Sequence, residues 1–194
     1  MIEHIGEKSA PAHPFVISGP SGVGKGTVLS YVVKDHPEIW LSVSATTRQP
    51  RPGEVHGKHY YFLTEAEFDA MVDQGQMLEW ALVHGTDRYG TPRKPVADAI
   101  AAGKTAVLEV DLKGARQIRQ SMPEATQIFL VPPSWEELER RLRGRGTESE
   151  EQIERRLETA RQELAAQSEF DVVVKNDSVS RATAQLLHIM GIER

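Results

Sequence analysis

A glycine-rich stretch near the start of the chain constrains its fold more than any other feature. Residues 16–29 read VISGPSGVGKGTVL, a short apolar run that leads into closely spaced glycines, a lysine and a threonine. Positions 19–25 fit the phosphate-loop pattern G-x-x-x-x-G-K, in which backbone amides surround a phosphate and the lysine reaches its oxygens. The flanking residues predict a strand over 15–18 and a helix from Lys25, the setting that this pattern requires. The alternative is a glycine-rich surface turn with a solvated lysine.

The eighth position of the pattern departs from its usual form. A serine or threonine there contributes a hydroxyl to Mg²⁺, but this chain has Gly26. Thr27 comes one residue later, and one helical step rotates it by about 100° from that place. We therefore predict no protein ligand for the metal, with Mg²⁺ held by nucleotide phosphates and waters. The GKGT form resembles adenylate kinases, and it favours nucleoside-monophosphate kinases over switch GTPases.

Composition and charge restrict the possible function classes. The 194 residues are 39% hydrophobic and 26% charged, values typical of a water-soluble globular domain. No apolar run approaches the ~20 residues of a membrane span, so we predict no membrane partner. Residues 1–13 lack the apolar centre of a secretory signal; we predict a flexible leader and a cytoplasmic location. A net charge of −5 argues against nucleic-acid binding, and the lack of cysteine excludes disulfides and thiolate metal sites.

Strand and helix patterns alternate along the chain. The runs over 105–111 and 126–132 are continuously apolar, as in strands buried on both faces of a parallel sheet. Capping boxes at Thr64–Glu67 and Thr147–Glu150 predict two helix starts. This alternation predicts an α/β protein, with residues 44–103 as an insertion that contains antiparallel strands.

Four further segments closely resemble guanylate kinases, in order and with natural spacing. They are LSVSATTRQPRPGEVHGKHYYF, EWALVHGTDRYGTP, LEVDLKG and RLRGRGTESEEQIERRL. The resemblance extends from about Pro14 to Met190. It implies a three-layer P-loop fold with a central parallel β-sheet, an inserted mixed α/β subdomain that binds the nucleoside monophosphate, and a small helical lid. The implied parts of one domain spanning 14–194 are a P-loop core (14–43, 104–134 and 169–194), a GMP-binding subdomain (44–103) and a lid region (135–168).

The resemblance also implies an activity. It predicts an ATP:GMP phosphotransferase, which transfers the γ-phosphoryl group of MgATP to GMP, and to dGMP, within purine nucleotide metabolism and GMP recycling. ATP and GMP would be its small-molecule partners; whether the chain is a monomer or a homo-oligomer stays open. Two alternatives remain: a catalytically silent module that binds proteins, and a small-molecule kinase with another acceptor.

Phosphoryl transfer between two polyanions requires many cations. Arginines are concentrated over 140–156, and one arginine near the transferring group can accelerate it by roughly 10³–10⁵-fold. The resemblance assigns catalysis to Lys25, Arg48, Arg145 and Arg156. It assigns ATP binding to Gly19, Pro20, Ser21, Gly22, Val23, Gly24, Lys25, Gly26, Thr27, Arg141 and Asn176.

The acceptor site requires both cations and a group that recognises the base. Arg48 and Arg51 lie in a proline-containing loop and can bind a phosphate through their guanidinium groups. Glu79 interrupts an apolar run; its carboxylate can accept both guanine donors, N1–H and the 2-amino group. The resemblance assigns GMP binding to Ser44, Arg48, Arg51, Tyr60, Glu79, Tyr89, Thr91 and Asp111. The role of Asp111 stays open between guanosine and the Mg²⁺ waters.

Overall fold

The structure is a computed structural model that describes residues 12–83, 85–144 and 149–192. The strands are β1 (Pro14–Ser18), β2 (Ile39–Leu41), β3 (Ala45–Thr46), β4 (Tyr61–Phe62), β5 (Met77–Val83), β6 (Asp87–Pro92), β7 (Thr105–Glu109), β8 (Thr126–Val131) and β9 (Val172–Lys175). The helices are α1 (Lys25–Lys34), α2 (Glu65–Asp73), α3 (Arg93–Ala101), α4 (Leu112–Ser121), α5 (Trp135–Arg143), α6 (Glu150–Ala165) and α7 (Val179–Ile189).

The larger sheet has five parallel strands in the order β2-β7-β1-β8-β9. Strand β1 lies at its centre, and all five of its residues are buried. This explains why β1, β7 and β8 are continuously apolar in sequence: helices cover both faces of the sheet. The α/β fold with a central parallel sheet is therefore confirmed.

Side chains from alternate positions of β1 enter two separate cores. Phe15 and Ile17 pack with residues of α1 and α7 on one face. Val16 packs with residues of α3 and α4 on the other. The sheet between two helical layers gives the three-layer arrangement that the sequence predicted.

A second sheet of four strands lies within residues 44–103, in the order β4-β3-β6-β5. Strands β5 and β6 are antiparallel, and so are β3 and β6, whereas β3 and β4 are parallel. Helix α2 covers this sheet through Phe68, which packs with Ala45 and Met77. Helix α2 begins at the predicted capping box of Thr64 and Glu67. The exact limits of the core, the inserted subdomain and the lid stay a prediction.

Helices α5 and α6 pack on each other around their own apolar cluster of Leu138, Leu142, Ile153 and Leu157. Helix α6 does not begin at the predicted box of Thr147 and Glu150. Its N-cap is Ser149, whose side chain accepts from the backbone of Gln152, and Gln152 returns the bond. The same S/T-x-x-E/Q pattern occurs two residues later, so the sequence alone was ambiguous here.

Candidate functional site

The phosphate loop joins the centre of the parallel sheet to α1. Gly19 and Gly24 have φ angles of 151° and 94°, which side-chain-bearing residues rarely adopt. An added Cβ at Gly19 would lie 2.5 Å from the Leu130 carbonyl oxygen, and one at Gly24 would lie 2.9 Å from the Asn176 amide nitrogen. The loop therefore requires glycine both for its turn and for its close approach to β8 and to the segment after β9.

Lys25 is the first residue of α1, and its side chain folds back along the loop. The Nζ atom donates to the carbonyl oxygen of Gly19 at 2.5 Å. Burial lowers the pKa of Lys25, while the carboxylates of Glu109, Glu163 and Asp111 raise it. A cation with little water around it and three acids nearby is suited to exchange those neighbours for phosphate oxygens.

Helix α6 contacts the phosphate loop through two side chains that lie two turns apart on one face. The backbone amide of Ser21 donates to the Glu163 carboxylate at 3.3 Å, and Arg156 Nη2 donates to the Ser21 hydroxyl at 2.9 Å. Arg156 therefore lies at the phosphate loop, and its catalytic role stays a prediction. Glu163 was missed, because nothing local links it to a residue 142 positions away. Arg145 lies outside the described residues.

A cavity of about 580 Å³ opens beside the phosphate loop and is lined by Thr27, Arg141 and Asn176, among others. Asn176 is buried, and its amide donates to the Val23 carbonyl oxygen at 2.8 Å; Arg141 donates to the same oxygen at 3.3 Å. Both predicted residues thus border the loop. A cavity of about 590 Å³ between α2 and α3 contains none of the predicted site residues, so volume alone does not identify the site.

Arg48 is held on several sides. Its Nε donates to the Tyr89 hydroxyl at 3.2 Å, its Nη2 donates to Glu54 at 2.9 Å, and its guanidinium lies 5.4 Å from the Tyr60 ring centre. The hydrogen bond that Arg48 donates to Glu54 is the main cause that raises the pKa of Arg48. The other oxygen of Glu54 accepts the backbone amide of Arg51 at 2.7 Å. The structure thus brings both arginines and both tyrosines together around Glu54.

Glu54 is a further residue that sequence reasoning did not select. Its pKa is lowered by the hydrogen bond from Arg48 and then by that from the Arg51 backbone, so it stays ionised. An acid three residues after the second of two loop arginines was the available signal. One oxygen orients the Arg48 guanidinium and the other holds the backbone of Arg51, which leaves the remaining guanidinium donors for an anion.

Glu79 and Thr91 face each other across β5 and β6. The Thr91 hydroxyl, which is almost fully buried, donates to Glu79 Oε1 at 2.6 Å. The pKa of Glu79 is raised to about 7, because burial and the charge of the Asp111 carboxylate outweigh the lowering by the hydrogen bonds from Thr91. Ser44 lies just before β3, and its carbonyl accepts the Tyr61 amide at 2.8 Å. The residues around Glu79, Thr91 and Ser44, called here the Glu79 pocket, thus contain an acid whose ionisation is costly without a partner that donates hydrogen bonds.

Asp111 has a structural task as well as any ligand role. It is the N-cap of α4, and its Oδ1 accepts the Gly114 amide at 2.7 Å. The sequence analysis predicted no helix over 112–121 and therefore missed this cap. The charge of Asp111 acts on the pKa of both Lys25 and Glu79, so Asp111 lies near the phosphate loop and near the Glu79 carboxylate.

A family model described as guanylate kinase matches residues 11–193, nearly the whole chain. The chain belongs to the guanylate kinase family. A guanylate kinase of Streptomyces coelicolor is 56% identical over 177 residues, 91% of this chain and 89% of that protein. A guanylate kinase of Thermobifida fusca is 58% identical over 181 residues, 93% of this chain and 92% of that protein.

Solved structures agree with this assignment. The crystal structure of guanylate kinase from Anaplasma phagocytophilum superposes with a TM-score of 0.70 at 32% identity, over 94% of this chain and 86% of that one. A shikimate kinase structure from Bacteroides thetaiotaomicron, 12% identical with a TM-score of 0.51, shows the shared fold alone. The protein is thus a guanylate kinase, an enzyme that phosphorylates GMP with ATP.

Proposed function

We propose that the transfer takes place between the phosphate loop and the Glu79 pocket, with GMP and dGMP as acceptors. One observation supports this location above the others. Burial is the main cause that lowers the pKa of Lys25 and the main cause that raises the pKa of Glu79. The charge of Asp111 acts on both groups and favours a higher pKa for each. A single carboxylate that acts on both groups indicates that they border one space, as a donor and an acceptor nucleotide would need.

On the ATP side, the loop amides of residues 19–27 would bind the β- and γ-phosphates, and Lys25 would leave the Gly19 carbonyl for the same oxygens. Arg141 and Asn176 border the cavity that fits the rest of the nucleotide. Arg156, already at Ser21, is well located to neutralise charge that develops on the transferring group. Arg145 would add a second cation to this role.

On the GMP side, Arg48, Arg51, Tyr60 and Tyr89 would bind the acceptor phosphate, with Glu54 orienting the Arg48 guanidinium and holding the Arg51 backbone. Ionised Glu79 would accept N1–H and the 2-amino group of guanine, while Ser44 and Thr91 approach O6. Adenine presents a lone pair at N1 and would meet the carboxylate with repulsion. Pockets built on such hydrogen bonds reject analogues by roughly 10⁴-fold or more.

Magnesium would arrive with ATP, held by phosphate oxygens and waters. Among the described ranges, no group of three or more His, Cys, Asp or Glu side chains could hold a metal ion. Position 26 is glycine, so the loop offers no hydroxyl where this fold usually supplies one. The carboxylates of Glu109 and Asp111 near Lys25 suit contacts to metal-bound water. The ion would neutralise charge on the β- and γ-phosphate oxygens.

No general base is needed for this reaction. The acceptor atom is a phosphate oxygen of GMP, which is already ionised near neutral pH, so the protein contributes positioning and charge neutralisation.

Across the described ranges, no helix is long and apolar enough to cross a membrane. We propose a cytoplasmic enzyme that recycles GMP within purine nucleotide metabolism.

A coupled assay of ADP release tests the assignment. The purified protein is supplied with MgATP and, in turn, GMP, dGMP, AMP, UMP and CMP. We expect turnover with the two guanine nucleotides alone. Lys25→Ala, measured in parallel, should lose turnover while it keeps its fold by circular dichroism. Equal turnover with AMP would contradict the role of Glu79, and an active Lys25→Ala variant would contradict that of the phosphate loop.

A further inference from the structure

Strand β5, which contains Glu79, is an edge strand of its sheet, and α4 covers that edge. Edge strands leave a row of backbone donors and acceptors without partners. Here the Gln117 side chain makes two bonds to the backbone of Trp80: it accepts from the amide at 3.0 Å and donates to the carbonyl at 3.0 Å. The Ser121 hydroxyl donates to the Leu78 carbonyl at 2.6 Å. Side chains of α4 thus replace a neighbouring strand on both sides of Glu79.

Helix α4 also approaches the Glu79 side chain itself. A Cβ added at Gly114 would lie 3.1 Å from Glu79 Oε2 and 3.0 Å from the Cβ of Val110. Gly114 does not have a positive φ, so its backbone conformation does not require glycine. Glycine is required here for space: it lets the carboxylate lie against the first turn of the helix, where the backbone amides favour negative charge.

Gly114, Gln117 and Ser121 are spaced three and four residues apart and therefore lie on one face of α4. We propose that this face, the α4 docking face, is a positioning element for guanine recognition. It fixes the backbone before and after Glu79 and leaves room for the carboxylate, so that both oxygens can meet two guanine donors at once. The proposal rests on the proposed role of Glu79 in base recognition.

The physical basis is the geometric demand of a two-point hydrogen bond. A carboxylate that accepts N1–H and the 2-amino group tolerates only small displacements, because hydrogen bonds weaken steeply with distance and angle. Glu79 pairs with Thr91 on one side of β5. On the other side, the docking face supplies the support that a further strand would give. Without it, β5 would keep its pairing with β6 but lose its fixed distance from α4.

The experiment compares Gln117→Ala and Ser121→Ala with Gln120→Ala, an exposed glutamine of the same helix. Michaelis constants for GMP and for ATP are measured separately, together with kcat and the midpoint of thermal unfolding. We expect the first two variants to raise KM for GMP about tenfold, because each removes one or two hydrogen bonds that hold the backbone beside Glu79. KM for ATP should stay within about twofold of its value in the unmodified protein. The control should match the unmodified protein. Equal effects on both nucleotides would indicate a merely structural contact and overturn the proposal.

A double-mutant cycle separates this proposal from the role of Glu79. If Gln117 acts through Glu79, its replacement should have little further effect on KM for GMP in a Glu79→Gln background. The same fold-change in both backgrounds would overturn the positioning role and leave base recognition by Glu79 intact. If Glu79→Gln alone does not change KM for GMP, base recognition by Glu79 is refuted, and the docking proposal falls with it. Gly114→Ala supplies an independent variant, with the same selective loss of GMP expected.

Discussion

Lowering the pH from 8 to 6 is expected to weaken GMP binding about tenfold through the ionisation of Glu79. Burial, followed by the charge of Asp111, raises the pKa of this carboxyl to about 7. At pH 8 about nine-tenths of the free enzyme carries the ionised form, and at pH 6 about one-tenth does, because one pH unit from the pKa is a tenfold ratio. Only the ionised form accepts both guanine donors, so KM for GMP should rise by that ratio.

The assay measures KM for GMP by coupled ADP release at pH 6, 7 and 8, in the unmodified protein and in Glu79→Gln. The acceptor phosphate also titrates in this range, with a pKa near 6, but it does so equally for both proteins. The amide variant keeps the size of the side chain and its acceptor for Thr91, while it removes the titration. The difference between the two pH profiles therefore isolates Glu79.

KM for ATP supplies an internal control in the same experiment. The pKa values of Glu109 and Glu163, near Lys25, are raised chiefly by burial, and they act on the ATP side. The reasoning is refuted if the KM for GMP of the unmodified protein and that of Glu79→Gln change in parallel between pH 8 and pH 6. It is also refuted if Glu79→Gln changes the pH profile of KM for ATP as much as that of KM for GMP.

Three further measurements test the phosphate loop, the arginine site and the stability cost of Glu79. Lys25→Ala should reduce kcat by about 10³-fold or more, since it removes a cation from the developing charge, and near-normal turnover in the ADP-release assay would contradict this. Glu54→Gln should raise KM for GMP roughly tenfold while KM for ATP stays constant, because the variant weakens the charge-assisted bonds that orient the Arg48 guanidinium and hold the Arg51 backbone. Glu79→Gln should stabilise the free protein at pH 8 by up to about 3 kcal/mol, because the raised pKa makes the ionised form costly in the fold. The gain should fade as pH falls from about 7 towards 4.5; urea unfolding at pH 8 and pH 5 checks this, and an equal difference at both pH values would contradict it.

The parts of the fold that the sequence predicted are those determined by local pattern. The phosphate loop is such a case, because its glycines, its lysine and the adjoining β1 and α1 are contiguous. The capping box of Thr64 and Glu67 is another, since both partners lie within one helical turn. Buried runs such as β7 and β8 were recognisable because both of their faces are apolar. Each of these features depends on residues close in sequence.

The features that the sequence did not predict depend on contacts between distant segments or on ambiguous patterns. Helix α4 has a glycine in its first turn, a weak helix former, and few buried residues, so its pattern was overlooked. The cap by Asp111 and the α4 docking face were not predicted either, because both depend on that helix. The contact of Glu163 with Ser21 joins α6 to the phosphate loop and has no local signature.

The strand order of the parallel sheet has a consequence for how acceptor choice can change. Strands β2 and β7 are parallel neighbours, so the chain leaves the sheet after Leu41 and returns at Thr105, about 4.8 Å across and two residues back along the strands. Everything between them, including β5 and Glu79, forms a cassette with adjacent ends. Such a cassette can be exchanged or lengthened while β1, the phosphate loop and the strand register stay as they are. The choice of acceptor can therefore evolve apart from the handling of ATP, within the limit that a new cassette must still fit α4, which lies outside it and holds β5.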